Sequence, residues 1–335
     1  MNLSNTTNKN KISIYQYAFT KIKAYFIFVA FIYMPHIILM KNKFRSTRVE
    51  IGDIVVRKSY GKDITFKIID IREEDSEKIY ILKGINIRII ADSREGDLEG
   101  VSQEYSGEKD RIFNSRVNDV IKKVMASRVD LKRVQKSPKI VPTKELVFGR
   151  PGKILHIDGD QNYLEACLKA YKQLSLDATG YVIAEKEQSS KVIDLVKIVK
   201  PDIVVLTGHD GMIRDTKDFL DLNNYRNSKH FIDAVSALRN YNSSYDELVI
   251  FAGACQSCYE RILDAGANFA SSPNRVLIHC LDPVFVCEKV AYTNIDKIVP
   301  ITDVLENTIT GTKGIGGLET RGKYRQGYPK SPYVN

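Results

Sequence analysis

PDIVVLTGHDG (residues 201–211) and, 46 positions later, ELVIFAGACQS (247–257) are the stretches that decide the fold. Each opens on an unbroken apolar run, 203–206 in one and 248–252 in the other, and passes directly into glycine-flanked polar residues. A strand with one wet face alternates apolar with polar, whereas an unbroken run is buried on both faces, as in a parallel sheet covered by helices. The surrounding chain keeps that rhythm. KILHIDGD (153–160) leads to an amphipathic helical stretch at 162–174, YVIAE (181–185) to one at 189–199, and helical patterns cover 228–241 and 259–265. This alternation specifies an α/β domain, assigned to residues 152–310. Two more apolar runs, RVLIHCLD (275–282) and VFVCEKVAY (284–292), are expected as strands, and the Gly-rich and basic segment 311–335 as loops or a flexible tail.

Upstream, residues 49–93 alternate apolar and polar over short runs (IGDIVVRK, ITFKIIDI, KIYILKG, NIRIIAD) broken by Gly61, the acidic stretch 73–77 and Gly84. That pattern predicts a small SH3-like antiparallel β-barrel. Residues 94–151 turn from acidic to basic, with twelve Lys/Arg against three acids between 111 and 153, and read as a charged helical linker. An Arg-rich connector of this kind is also a place where a protease could cut itself, after an arginine between Arg111 and Arg150. Residues 1–48 form an apolar and basic leader. Its 17 uncharged residues at 24–40 lie between Lys23 and Lys41, at the short edge for a membrane span. They are either a basic-flanked anchor or an upstream extension, with translation starting near Met40.

The net charge of +9 first suggests a nucleic-acid partner, but eight of the bases lie in residues 1–48, which hold no acid. The rest carries 42 bases against 41 acids, so the body is not a polyanion binder and no nucleic-acid partner is expected. Five cysteines (Cys167, Cys255, Cys258, Cys280, Cys287) are an odd number inside regular α/β patterning, which argues against a secreted disulfide framework and for a reducing, cytoplasmic setting.

In open α/β sheets the loops at the carboxyl ends of strands form the ligand crevice. His209 and Cys255 each follow such a strand. If the two strands are neighbours, as successive strands usually are, thiol and imidazole emerge on one edge. Cys255 also precedes a predicted helix, whose amino end favours a thiolate and offers oxyanion donors. A hydrolytic Cys/His dyad, with His209 returning its proton to the leaving amine, is the economical reading. Buried cysteines are usually inert and lone histidines usually satisfied, which is the better account of Cys167, Cys280, Cys287, His156 and His230. Two other functions stay open. Cys255 and Cys258 form a C-x-x-C that could be a redox pair, though no second ligand pair completes a zinc site and no cofactor or metal is expected. A flavodoxin-like or receiver-like scaffold, with Asp158 and Asp160 as an acidic corner, would need no catalysis at all.

An apolar strand ending in a His–Gly turn, followed by one ending in Ala-Cys, resembles the caspase-like (clan CD-type) cysteine peptidases. The 46-residue separation of His209 and Cys255 is close to the roughly 50 of caspases. IGDIVVRKSYGKDI, GKILHIDGD, VVLTGHDG, FAGACQS and HCLDPVFVCEKVA together resemble the YabG family of sporulation proteases, from about residue 49 to 332. The resemblance implies a caspase-like fold and a cysteine endopeptidase of the mother cell, associated with the developing coat. It would act through a thioester on spore coat and cortex-related proteins after basic residues, with His209 and Cys255 catalytic. Asp210 and Gly211 are the candidates for backbone oxyanion donors, although Asp210 separates His209 from the glycine that commonly follows it directly. Arg-specific relatives often place an acid two residues before the cysteine, where this chain has Gly253. The acid of a specificity pocket is then sought at other strand ends, in Asp282, which is preferred, or Asp158.

Overall fold

The computed structural model describes residues 49–74, 76–102, 104–134, 147–213 and 216–333. The leader at 1–48, with its anchor reading, and residues 135–146 of the expected self-cleavage connector lie outside the described residues. Among the described residues no helix is long and apolar enough to cross a membrane.

The amino-terminal strands are β1 (Ile54–Arg57), β2 (Thr65–Glu74), β3 (Glu77–Gly84), β4 (Ile90–Arg94) and β5 (Leu98–Gly100). They form one antiparallel sheet in the order β4-β3-β2-β1-β5. Alternate residues turn inward, so Val56, Phe66, Ile68, Tyr80 and Leu82 are buried. Among the described residues the expected barrel does not close, because β4 and β5 each pair on one side only. Between β3 and β4 the chain instead swings into the α/β part, where Ile87 bridges His279.

The region read as a linker is largely structured. It supplies β5 and then α1 (Glu108–Val134), whose Val120 and Val124 are buried. Asp110 at its start is also buried and accepts from the Thr65 N–H at 2.7 Å, which ties the helix to β2. Beyond the connector, β6 (Phe148–Arg150) leads into the main sheet.

That sheet consists of β7 (Ile154–Asp158), β8 (Ala178–Val182), β9 (Ile203–Thr207), β10 (Val249–Ala252), β11 (Phe269–Ser271) and, after the two-residue β12 (Ile298–Val299), β13 (Ile315–Gly317). The order is β13-β11-β10-β9-β7-β8, parallel except for β13. The helices are α2 (Gln161–Gln173), α3 (Glu185–Val199), α4 (Ser228–Tyr241), α5 (Tyr259–Asp264), α6 (Asp282–Tyr292) and α7 (Ile301–Leu305). Side-chain alternation divides them between two faces. Leu155, Ile157, Val204, Leu206, Ile250 and Ala252 pack with Val192, Val196, Phe231 and Val235 of α3 and α4. On the opposite face His156 meets Tyr171 of α2, whose hydroxyl lies 3.7 Å from Cys287 of α6.

Three further expectations fail. VFVCEKVAY is helix α6, not a strand. Val284, Phe285, Val286, Cys287, Val290 and Ala291 are all buried, so the helix shows no amphipathic period, and a short apolar run alone cannot tell helix from strand. Pro283 in its first turn was the local helix signal. RVLIHCLD is a strap with a single bridge, at His279, and its last residue opens α6. The carboxyl-terminal segment, expected as loops, supplies β13 to the main sheet, β14 (Thr320–Arg321) to β12 and β15 (Arg325–Gly327) to β6.

Candidate active site

Three neighbouring strands carry the polar edge. Leu206 is paired with Ala252 across β9 and β10, and three residues on in each chain stand His209 and Cys255. Asp158 is paired with Thr207 across β7 and β9, and two residues on stand Asp160 and His209. Parallel neighbours lie about 4.8 Å apart, so the register itself brings the three side chains to one edge.

Asp160 caps α2 by accepting from the N–H groups of Asn162 and Tyr163. Its Oδ2 lies 2.9 Å from His209 Nε2, and Lys83 of β3 reaches the same carboxylate at 2.6 Å. Burial opposes its ionisation, but the His209 hydrogen bond and Lys83 prevail and hold its pKa down to about 2. The His209 backbone is also fixed. Its N–H donates to Glu185 Oε1 at 2.7 Å and its carbonyl accepts from Asn227 Nδ2 at 2.8 Å. A Cβ on Gly208 would strike the Glu185 carboxylate, so a side chain there would push Glu185 off the His209 N–H. The remaining ring nitrogen, Nδ1, is buried and has no hydrogen-bond partner.

The turn after β10 passes through Gly253 at φ +107° and Gln256 at φ +56°. Cys255 is 1% exposed. The strap covers its sulfur, which accepts the Ile278 N–H at 3.2 Å. Burial pushes the thiol up to about 12 despite the Ile278 N–H and the Arg88 charge, so the sulfur is protonated at rest. The expected activation by a helix end is not found, since α5 is only six residues long and begins at Tyr259, with Cys258 at its cap. Cys258 is a free thiol whose sulfur lies 3.6 Å from the Phe219 carbonyl.

Asp210 joins the two loops. Its carboxylate accepts from the Gly211 and Asn227 N–H groups, both at 2.8 Å, and from the hydroxyls of Ser228 at 2.5 Å and Ser257 at 2.8 Å. Ser257 in turn receives the Ala254 N–H at 2.9 Å. The Gly211 amide is thus engaged internally. Of the acids considered for a specificity pocket, Asp282 is fully buried and accepts from the His279, Ile309 and Thr310 N–H groups and the Thr310 hydroxyl. Asp158, also fully buried, lies 2.7 Å from Arg88 Nη1 and accepts from the Thr207 hydroxyl at 2.9 Å. Neither presents a carboxylate to solvent. Asp160, Lys83 and Arg88 were not among the catalytic candidates. Asp160 was within reach, because it ends the third strand of the same edge. Lys83 and Arg88 come from the amino-terminal sheet, and no local pattern marks a contact made across some 70 residues.

A thiol, an imidazole and a carboxylate on neighbouring strand ends are the parts of a thiol peptidase. The chain belongs to the YabG peptidase U57 family, whose model matches residues 50–329. The sporulation-specific protease YabG of Bacillus subtilis (strain 168) is 42% identical to it over 286 residues, 84% of this chain and 98% of that protein. No solved structure matches the chain. As a member of this family the chain is a protease.

Proposed function

We propose that the protein is a cysteine endopeptidase of sporulation that cuts spore coat and cortex-related proteins after arginine, with Cys255 as nucleophile and His209 as acid and base. The carrying observation is the shared edge, on which Asp160 takes one nitrogen of His209 and leaves the other without a partner. Nδ1 accepts the Cys255 proton as sulfur attacks the peptide carbonyl, then gives it to the leaving amine, and water releases the acid from the thioester. The Asp210 and Gly211 amides face the oxyanion, Gly211 exchanging its bond to the Asp210 side chain for it. A thiol held near 12 ionises only as the proton passes to His209, so sulfur and imidazole charge together when substrate is bound. The sporulation setting rests on the relative from Bacillus subtilis, and the mother-cell location and coat and cortex-related substrates on the family resemblance. Cys255→Ala and His209→Ala are each expected to lower kcat/KM on a purified coat protein by about a thousandfold or more while leaving the melting temperature within a few degrees. Retained cleavage in either variant would reject the dyad.

A further inference from the structure

The connection between β3 and β4 inserts a fully buried arginine into the α/β part. Arg88 has no exposed surface, and its Nη1 meets Asp158 at 2.7 Å. Its Nη2 makes only long contacts, 3.4 Å to the Cys280 carbonyl and 3.8 Å to Cys167 Sγ, and its Nε has no partner. A permanent internal arginine usually satisfies its planar fork of donors, since a buried ion pair stabilises little unless its remaining groups are bonded. This guanidinium has one strong partner.

Its backbone is arranged as a bound peptide. Ile87 bridges His279 in antiparallel sense, the Arg88 N–H donates to the Ile278 carbonyl at 3.4 Å, and the Cys280 N–H donates to the Asn86 carbonyl at 3.0 Å. The pairing of residues 86–88 with the strap has the geometry of β-strand recognition, and the chain turns away directly after it, the Ile89 N–H donating to the Ile87 carbonyl at 2.8 Å. The same Ile278 donates its N–H to Cys255 Sγ at 3.2 Å, so one strap residue is bonded to both the segment and the nucleophile. Tyr163 closes the arrangement. Its hydroxyl donates to the Gly84 and Ile87 carbonyls at 2.6 and 2.8 Å, and its ring lies 5.0 Å from the Arg88 guanidinium and 5.6 Å from the His209 ring.

We infer that residues 86–88 occupy the enzyme's own substrate cleft, with Arg88 in a guanidinium pocket floored by Asp158, so that the folded chain holds itself inhibited by a substrate-like arginine. The inference deepens the reading of Cys255 as nucleophile and rests on it. Substrate must displace the segment, and the pocket that holds Arg88 selects an arginine side chain in its place.

The test is the rate at which an arginyl chloromethyl ketone alkylates the full-length protein, with the adduct located by peptide mapping. Arg88→Ala, and Arg88→Met, which keeps the aliphatic stem, are expected to react with Cys255 at least tenfold faster than the unaltered chain, and Arg88→Lys within threefold of it. An unchanged or slower rate in the Ala and Met variants overturns the inference. So does failure of both to fold, because an occupant of a substrate cleft is dispensable to the fold. A second arm does not depend on the nucleophile. Benzamidine is expected to raise the melting temperature of the Cys255→Ala, Arg88→Ala double variant and leave Cys255→Ala unmoved, and no rise in the double variant rejects the pocket. An adduct on a residue other than Cys255, with benzamidine binding intact, sinks the nucleophile and spares the pocket.

Discussion

The two ring nitrogens of His209 have unequal surroundings, and the inequality predicts unequal use of them. Asp160, ionised down to about pH 2, faces Nε2, where under the proposed mechanism it stabilises the imidazolium formed when Cys255 gives up its proton. Asp160→Asn removes that charge and is expected to lower kcat by about a hundredfold with KM within about threefold. A kcat within about threefold of the unaltered chain would show that Asp160 only caps α2. Cys258→Ser should keep activity within about threefold, because a hydrolase needs one thiol where a redox pair needs two. At this scale the sequence was informative about His209 and Cys255, since each follows an apolar strand of its own and the crevice rule applies locally. It said little about Asp160, which reads equally as a helix cap, and nothing about Lys83 or Arg88, whose partners are fixed only by tertiary packing.

Among elements, the strap and α6 carry the largest departures from sequence expectation, and both depend on burial. The α6 sequence is apolar on every side because the helix is enclosed, which erases the period that identifies helices. Asp282 at its start ties the strap to residues 309 and 310 through four donors. Asp282→Ala would orphan them and is expected to cost about 3 kcal/mol in urea unfolding. A loss below about 1 kcal/mol would show that the strap is held otherwise. His279 in the strap is pushed down to about 4 by burial and by the Arg88 charge, and burial lowers His156 as well. Both contribute stability fully above the unfolded histidine pKa of about 6.5, and it is lost as pH falls below that value. The melting temperature should therefore decline between pH 6.5 and 4, and less steeply in His279→Gln, in which the buried carboxyls whose pKa burial raises, Asp210, Asp282 and Glu288, are unaltered; an equal decline in both proteins would contradict the assignment.

Across the whole molecule, residues 50–335 cluster as one compact unit, and both ends of it contribute contacts to the α/β part. The amino-terminal sheet, read from sequence as a separate barrel, sends Lys83 to Asp160 and Arg88 to Asp158. The carboxyl-terminal segment covers the edge of β11 with β13, pairing Ala270 with Gly316. Short glycine-rich strands of this sort carry too few apolar residues to register as strands, which is why the segment reads as a tail. Ending the chain after Thr310 would expose β11 and is expected to give insoluble or unfolded protein by circular dichroism, whereas a folded, active truncation would show that the segment is dispensable. The parallel order of β7, β9 and β10 was legible because it needs only the strand–helix rhythm, while the joining of the two sheets was not, because it is set by single side chains. By the proposed mechanism Cys255 becomes acylated during turnover. Acid-quenching the protein within milliseconds of mixing with an arginine ester and mapping the peptides should find the arginyl mass on Cys255. That mass on another residue, or ester hydrolysis undiminished in Cys255→Ala, would contradict it.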